Sequence, residues 1–178
     1  KASGAIVLDE TTFFKNEQQG YKIDHIEANG SSIRISPMDH LNVKDRVEEG
    51  DTISNYTFDL VNGKDTSIKA LLDGKNYLYL NFWASWCAGC HHEMQSLEKV
   101  AASDSIKVVS LNYNEGQEAI DQFIEKYHPS WIQGRSTEKI NRELMNEGLP
   151  RNIMIDPSGM IINMDIHPNN LMKGETLK

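Results

Sequence analysis

The stretch Asn76-Tyr77-Leu78-Tyr79-Leu80-Asn81-Phe82-Trp83 is a nearly unbroken apolar run. It is far shorter than the ~20 residues that span a bilayer, and it is rich in aromatic side chains that suit a pleated surface. Such a run predicts a strand buried on both faces, which obliges the chain to supply a covering layer on each side. Trp86-Cys87-Ala88-Gly89-Cys90-His91-His92-Glu93-Met94 follows almost at once. From there Cys90, Met94, Leu97 and Ala101 recur at helical spacing, so the two cysteines stand at a strand-to-helix junction.

Ile106 to Leu111 predicts the next strand. Asn114 followed by Gln117 predicts the start of a helix whose apolar face is Ala119, Ile120, Phe123, Ile124 and Tyr127. Another helix is expected over Thr137 to Glu147, stopped by Gly148, and Pro150 leads into a strand at Asn152 to Ile155. Asp156-Pro157-Ser158-Gly159 reads as a turn before a returning strand at Met160 to Met164, and Pro168 opens a short final helix. Strands alternating with helices argue for an α/β fold. Upstream, Tyr56 to Leu60 is a further strand; before about residue 50 the pattern weakens. Tyr21 to Ile26 and Ser32 to Ser36 flank Asn29-Gly30 there as a hairpin with a tight turn. We therefore divide the chain into a β-rich extension, 1–50, and an α/β domain, 51–178.

With 178 residues, the chain can bury one full core plus an appendage. Its 18 basic and 26 acidic residues give a net charge of −8 without a basic patch, which disfavours nucleic acid as a partner. The two cysteines are no framework of structural disulfides.

Three chemistries compete for the motif. Cys87, Cys90 and His91 match the spacing of covalent haem attachment, which would make the chain an electron carrier. The same cysteines with His91 or His92 supply three metal ligands, but no second pair follows, and His25, His40, His128 and His167 are scattered. The third reading is a redox dithiol. A cysteine in the first turn of a helix meets unpaired N–H groups and the positive end of the dipole, which favour its thiolate. Cys87 is then the exposed nucleophile, and Cys90, on the apolar stripe, resolves the mixed disulfide. Glu93, three residues beyond Cys90, falls at the edge of that stripe, where burial would raise its pKa and let it exchange a proton with Cys90.

Tyr79 to Glu93, taken with Gly148-Leu149-Pro150-Arg151-Asn152-Ile153-Met154-Ile155-Asp156, resembles the TlpA/ResA type of bacterial extracytoplasmic thiol-disulfide oxidoreductases. The resemblance implies a thioredoxin-like fold, a mixed sheet flanked by helices. It implies a redox-active Cys87–Cys90 disulfide with no other cofactor and no metal, and a proton-handling role for Glu93. Pro150 becomes a cis-proline facing the dithiol, the Leu149 backbone a pairing site for extended substrate, and Trp86 a lid. The partners implied are exported proteins with thiols or disulfides, among them apocytochrome c, and an upstream thiol-disulfide electron donor. The location implied is outside the cytoplasmic membrane, with any anchor lying beyond this chain. Two positions depart from the family's pattern: Gly89 and Gln95 stand where proline is frequent. A thioredoxin-fold binding module with an incidental dithiol is the remaining alternative.

Overall fold

A computed structural model describes residues 13–15, 20–27, 29–38, 47–145 and 148–172. The chain divides into two compact units, 1–45 and 46–178. In the first, β1 (Phe13–Lys15), β2 (Gly20–Ile26) and β3 (Ile33–Met38) form an antiparallel sheet in that order. The Glu27 N–H donates to Ser32 C=O at 3.0 Å and the Gly30 N–H to Glu27 C=O at 2.7 Å, with Gly30 at φ +71°, so Asn29-Gly30 lies in the β2–β3 turn as expected. His40 lies outside the described residues.

The second unit opens with β4 (Thr57–Asp59), β5 (Asp65–Ser67) and α1 (Ile68–Leu71). Then come β6 (Tyr77–Trp83), α2 (Ala88–Ala101), β7 (Ile106–Asn112), α3 (Gln117–Tyr127) and β8 (Ile132–Arg135). It closes with α4 (Glu138–Leu144), β9 (Arg151–Ile155), β10 (Ile161–Asn163) and α5 (Pro168–Met172). Five strands make one mixed sheet in the order β10-β9-β6-β7-β8, with β6, β7 and β8 parallel and β9 and β10 antiparallel to their neighbours. Among the described residues no helix is long and apolar enough to cross a membrane.

The apolar run does what its composition requires. Leu78, Leu80 and Phe82 of β6 pack in one core with Phe58, Ile68, Ile140 and Leu144. Tyr79 and Trp83 face the other way, into a core with Leu97 of α2 and Ile120 and Phe123 of α3, where Trp83 stacks on Phe123 at 3.9 Å. Period-two alternation thus feeds two cores from one strand.

Two helix boundaries differ from expectation. Gly116 is the N-cap of α3, without a side-chain cap bond, while Asn114 sits at φ +52°. The reason is Glu115: its N–H donates to Asn112 Oδ1 at 3.1 Å and its carboxylate accepts from Asn112 Nδ2 at 2.7 Å, so this loop is organised before the helix begins. Helix α4 starts as expected at the Thr137 cap but ends at Leu144; Asn146 and Glu147 lie outside the described residues.

Strand β8 was not visible as a strand in the sequence, and its Gly134 lies close against the backbone of β4 in the core that holds Phe58 and Leu111. A Cβ on Gly134 would stand 2.9 Å from the Asp59 carbonyl oxygen, 2.9 Å from Phe58 and 3.1 Å from Leu111. Gly134→Ala is therefore expected to destabilise the fold by about 1–3 kcal/mol, measured as a lower urea midpoint; an unchanged midpoint would show that β4 yields freely.

Candidate active site

Strand β6 ends at Trp83, and a short connection delivers the chain to α2, whose N-cap is Cys87. Cys87 Sγ accepts from the Cys90 backbone N–H at 3.1 Å, so the sulfur occupies the place of a capping oxygen. The two cysteines form a disulfide with a Cα separation of 5.3 Å. In the sequence reading Cys87 is exposed, but in the structure it is 5 % exposed and Cys90 1 %. Distant chain packs beside them: Leu149 lies against the core that holds both cysteines, and Gly89 lies so close to Pro150 that a Cβ there would be 2.9 Å from the proline Cδ. The Leu149–Pro150 peptide is cis.

Trp86, expected as a lid, projects outward and is 67 % exposed. It lines a cleft of about 350 Å³ with Tyr113, Asn141, Arg142, Met145, Gly148 and Leu149.

His91 has a structural occupation that its place in the motif did not announce. Its Nε2 lies 2.7 Å from the Ser85 carbonyl, which can only accept, so Nε2 carries the proton and Nδ1 accepts from the Tyr127 hydroxyl at 2.6 Å. Ser85 in turn donates its N–H to Glu115 at 2.7 Å. Burial alone would lift the Glu115 carboxyl, yet the Ser85 and Asn112 donors hold it below the usual range. The connection before Cys87 is thereby held from α2 on one side and from the loop before α3 on the other. Use of His91 as a haem or metal ligand would require breaking these bonds. His92 is exposed.

Glu93 is not at the edge of the stripe but inside it, 2 % exposed on the same helical face as Cys90. Asn152 Nδ2 donates to both its carboxylate oxygens, at 3.0 and 3.1 Å. Behind Asn152 runs a row of polar side chains set side by side by the sheet register, which pairs Asn81 with Ser110 and with Asn152. Trp131 Nε1–H donates to Ser110 Oγ at 2.8 Å, Ser110 to Asn81 Oδ1 at 2.9 Å, and Asn81 Nδ2 to Asn152 Oδ1 at 2.8 Å. Every donor points toward the carboxylate, an arrangement that polarises the last bond. His167 Nε2 lies 3.4 Å from Glu93 Oε1. Burial is the main influence on Glu93 and raises its pKa; Asn152 and His167 oppose it, and Asp165 adds to it.

With that pKa raised, the folded chain keeps a proton that the unfolded chain has already lost. The corresponding stability is complete below the ordinary carboxyl pKa of about 4.3 and is lost as pH rises through the raised value. Glu93→Gln removes that loss, so its Tm should gain on the parent as pH climbs from about 4 to about 8; parallel profiles would mean an unshifted carboxyl. Gly89→Ala is expected to cost about 1–3 kcal/mol by forcing α2 and Pro150 apart, measured by chemical unfolding of the oxidised protein.

The Redoxin family model matches residues 48–176. Among curated proteins, the thioredoxin-like protein YneN of Bacillus subtilis is 28% identical over 134 residues, covering 72% of this chain and 76% of that one. The thiol-disulfide oxidoreductase ResA of Bacillus subtilis is 26% identical over 125 residues, covering 68% and 69%. Among solved structures, a thiol-disulfide oxidoreductase from Bacteroides fragilis superposes with a TM-score of 0.59 at 26% identity, covering 69% of this chain and 96% of that one.

Proposed function

This chain belongs to the Redoxin family and is a thiol-disulfide oxidoreductase of the TlpA/ResA-like kind, and on that premise we propose that it reduces disulfides in exported proteins. Cys87 is the attacking cysteine. Its thiolate breaks a substrate disulfide and forms a mixed disulfide, releasing one substrate thiol. Cys90 then loses its proton to Glu93 and attacks Cys87 Sγ, which closes the Cys87–Cys90 bond and releases the second substrate thiol. The dithiol is oxidised by two electrons and the substrate reduced by two; an upstream thiol-disulfide donor restores the dithiol. The Leu149 backbone and Pro150 align an extended substrate segment beside the sulfur, with Trp86 as the apolar wall.

The observation that carries this reading is the disulfide at the N-terminus of α2, faced by Pro150 and underlain by a buried carboxyl. A helix N-terminus favours the thiolate of the cysteine that caps it. Residues 1–50 are taken as an appended β extension to a thioredoxin-like domain at 51–178. The setting proposed is outside the cytoplasmic membrane, where disulfides form and need reduction. Apocytochrome c, whose paired cysteines must be reduced before they can take haem, is the finer substrate proposal.

Cys87→Ser is expected to abolish reduction of a peptide disulfide, and Cys90→Ser to accumulate a covalent adduct resolved only by added thiol. The check is mass spectrometry under non-reducing conditions; a Cys87→Ser protein with parental turnover would refute the assignment of the nucleophile. Equilibration with glutathione buffers then fixes whether the couple is reducing enough for this direction.

A further inference from the structure

We propose that His167 is the group through which protons pass between solvent and the buried Glu93 carboxyl as the Cys87–Cys90 disulfide opens and closes. The inference rests on the reading of Glu93 as the acid that exchanges a proton with Cys90. A carboxyl that is 2 % exposed can serve repeated turnover only if its proton has a way in and out. His167 is the half-exposed side chain that reaches it, with Nε2 3.4 Å from Oε1.

The orientation of the ring is fixed by its surroundings. The Asn169 backbone N–H donates to His167 Nδ1 at 3.1 Å, which leaves the proton on Nε2, facing Glu93. The segment that carries the histidine is fastened on both sides. Tyr79 OH of β6 donates to the Ile166 carbonyl at 2.7 Å, and Ser96 Oγ of α2 donates to Asn169 Oδ1 at 2.5 Å. One anchor comes from the sheet and the other from the helix that bears Cys90 and Glu93, so the imidazole is placed with reference to the dithiol itself.

Other groups around Glu93 do not offer the same path. From β9 comes Asn152, which does not titrate. From β6 comes Tyr79, whose phenol is pushed far above its ordinary value by burial and then by Glu93, and whose hydroxyl is spent on Ile166. From the segment after β10 comes Asp165, with the Arg151 guanidinium 3.8 Å from its carboxylate; it acts on Glu93 only through its charge. On α2 itself Cys90 is the group being served. An imidazole has two ring nitrogens and can accept at one while donating at the other near neutral pH.

When a dithiol reductant attacks Cys87 Sγ, the Cys87–Cys90 bond breaks and its electron pair goes to Cys90 as thiolate. Cys90 takes the proton from Glu93. Water then protonates His167 Nδ1 as the Asn169 bond opens, and the Nε2 proton moves to Glu93. The net result is one proton carried from water to Cys90, and the oxidative half-reaction runs the same steps backward.

The test is stopped-flow reduction of the disulfide by dithiothreitol across the neutral pH range, followed by tryptophan fluorescence. His167→Gln keeps a side chain that can hydrogen-bond Glu93 but cannot titrate. It is expected to slow reduction about tenfold near neutrality, with an altered pH profile. His167→Ala should be equally slow and should recover on addition of free imidazole. A His167→Gln profile that matches the parent overturns the proposal, as does a slowing that is uniform in pH with no imidazole rescue of His167→Ala. Glu93→Gln separates the two levels. If it is slowed while His167→Gln is not, the relay alone falls; if it too matches the parent, the role of Glu93 falls and the relay with it.

Discussion

Strand β6 has to be buried on both faces, and everything else in the second unit follows from meeting that requirement. Its even-numbered apolar residues need α1, α4 and the β4–β5 ribbon; its odd-numbered ones need α2 and α3. Because α2 must lie over the strand that precedes it, the chain turns sharply after Trp83 and presents the free N–H groups of a helix end at the rim of the sheet. A cysteine placed there inherits a stabilising environment for negative charge without any dedicated machinery. The reactive centre is thus a by-product of covering a central strand.

The second core is not uniformly apolar, and its exception is organised. Asn81, Ser110 and Asn152 occupy one row of the sheet directly beneath α2, all less than 4 % exposed. Each would cost roughly 1–3 kcal/mol if left unpaired. They are paired with one another, in a single donor direction that ends on Glu93. Hydrogen bonds to a charged acceptor contribute roughly 1.5–3 kcal/mol each, so the row offsets part of the cost of burying a carboxylate. It does so without fixing the group in its charged form, because burial and Asp165 push the other way. A carboxyl balanced between these influences can change protonation state where a fully neutralised ion pair could not.

Much of the domain was legible because the elements obey simple periods. The apolar run marked β6, the spacing of Cys90, Met94 and Leu97 marked α2, and the turn residues at 156–159 marked the final hairpin. What escaped notice depends on tertiary partners. The Ile132 to Arg135 strand is short and carries Gln133 and Gly134; it is a strand because β7 pairs with it. Strand β5 and helix α1, three and four residues long, are below the length at which a period can be read. The low exposure of Cys87 could not be foreseen, because the core it joins is completed by residues far along the chain, Met154 and Leu149 among them. His167, read as one of several scattered histidines, touches Glu93 across 74 positions of sequence, a proximity no local pattern encodes. The failed cap at Asn114 has the same origin, since Glu115 is claimed by Ser85 as well as by Asn112.

Gly89 lies between the two cysteines and also against Pro150. In dithiol proteins the residues between the cysteines are a natural place to adjust how readily the disulfide is reduced, and the proline segment is a natural place to adjust what the protein grips. Here the two share one van der Waals contact. A side chain added at Gly89 must displace Pro150, so the two positions are sterically coupled. Variants that place a side chain at position 89 would have to alter position 150 with it.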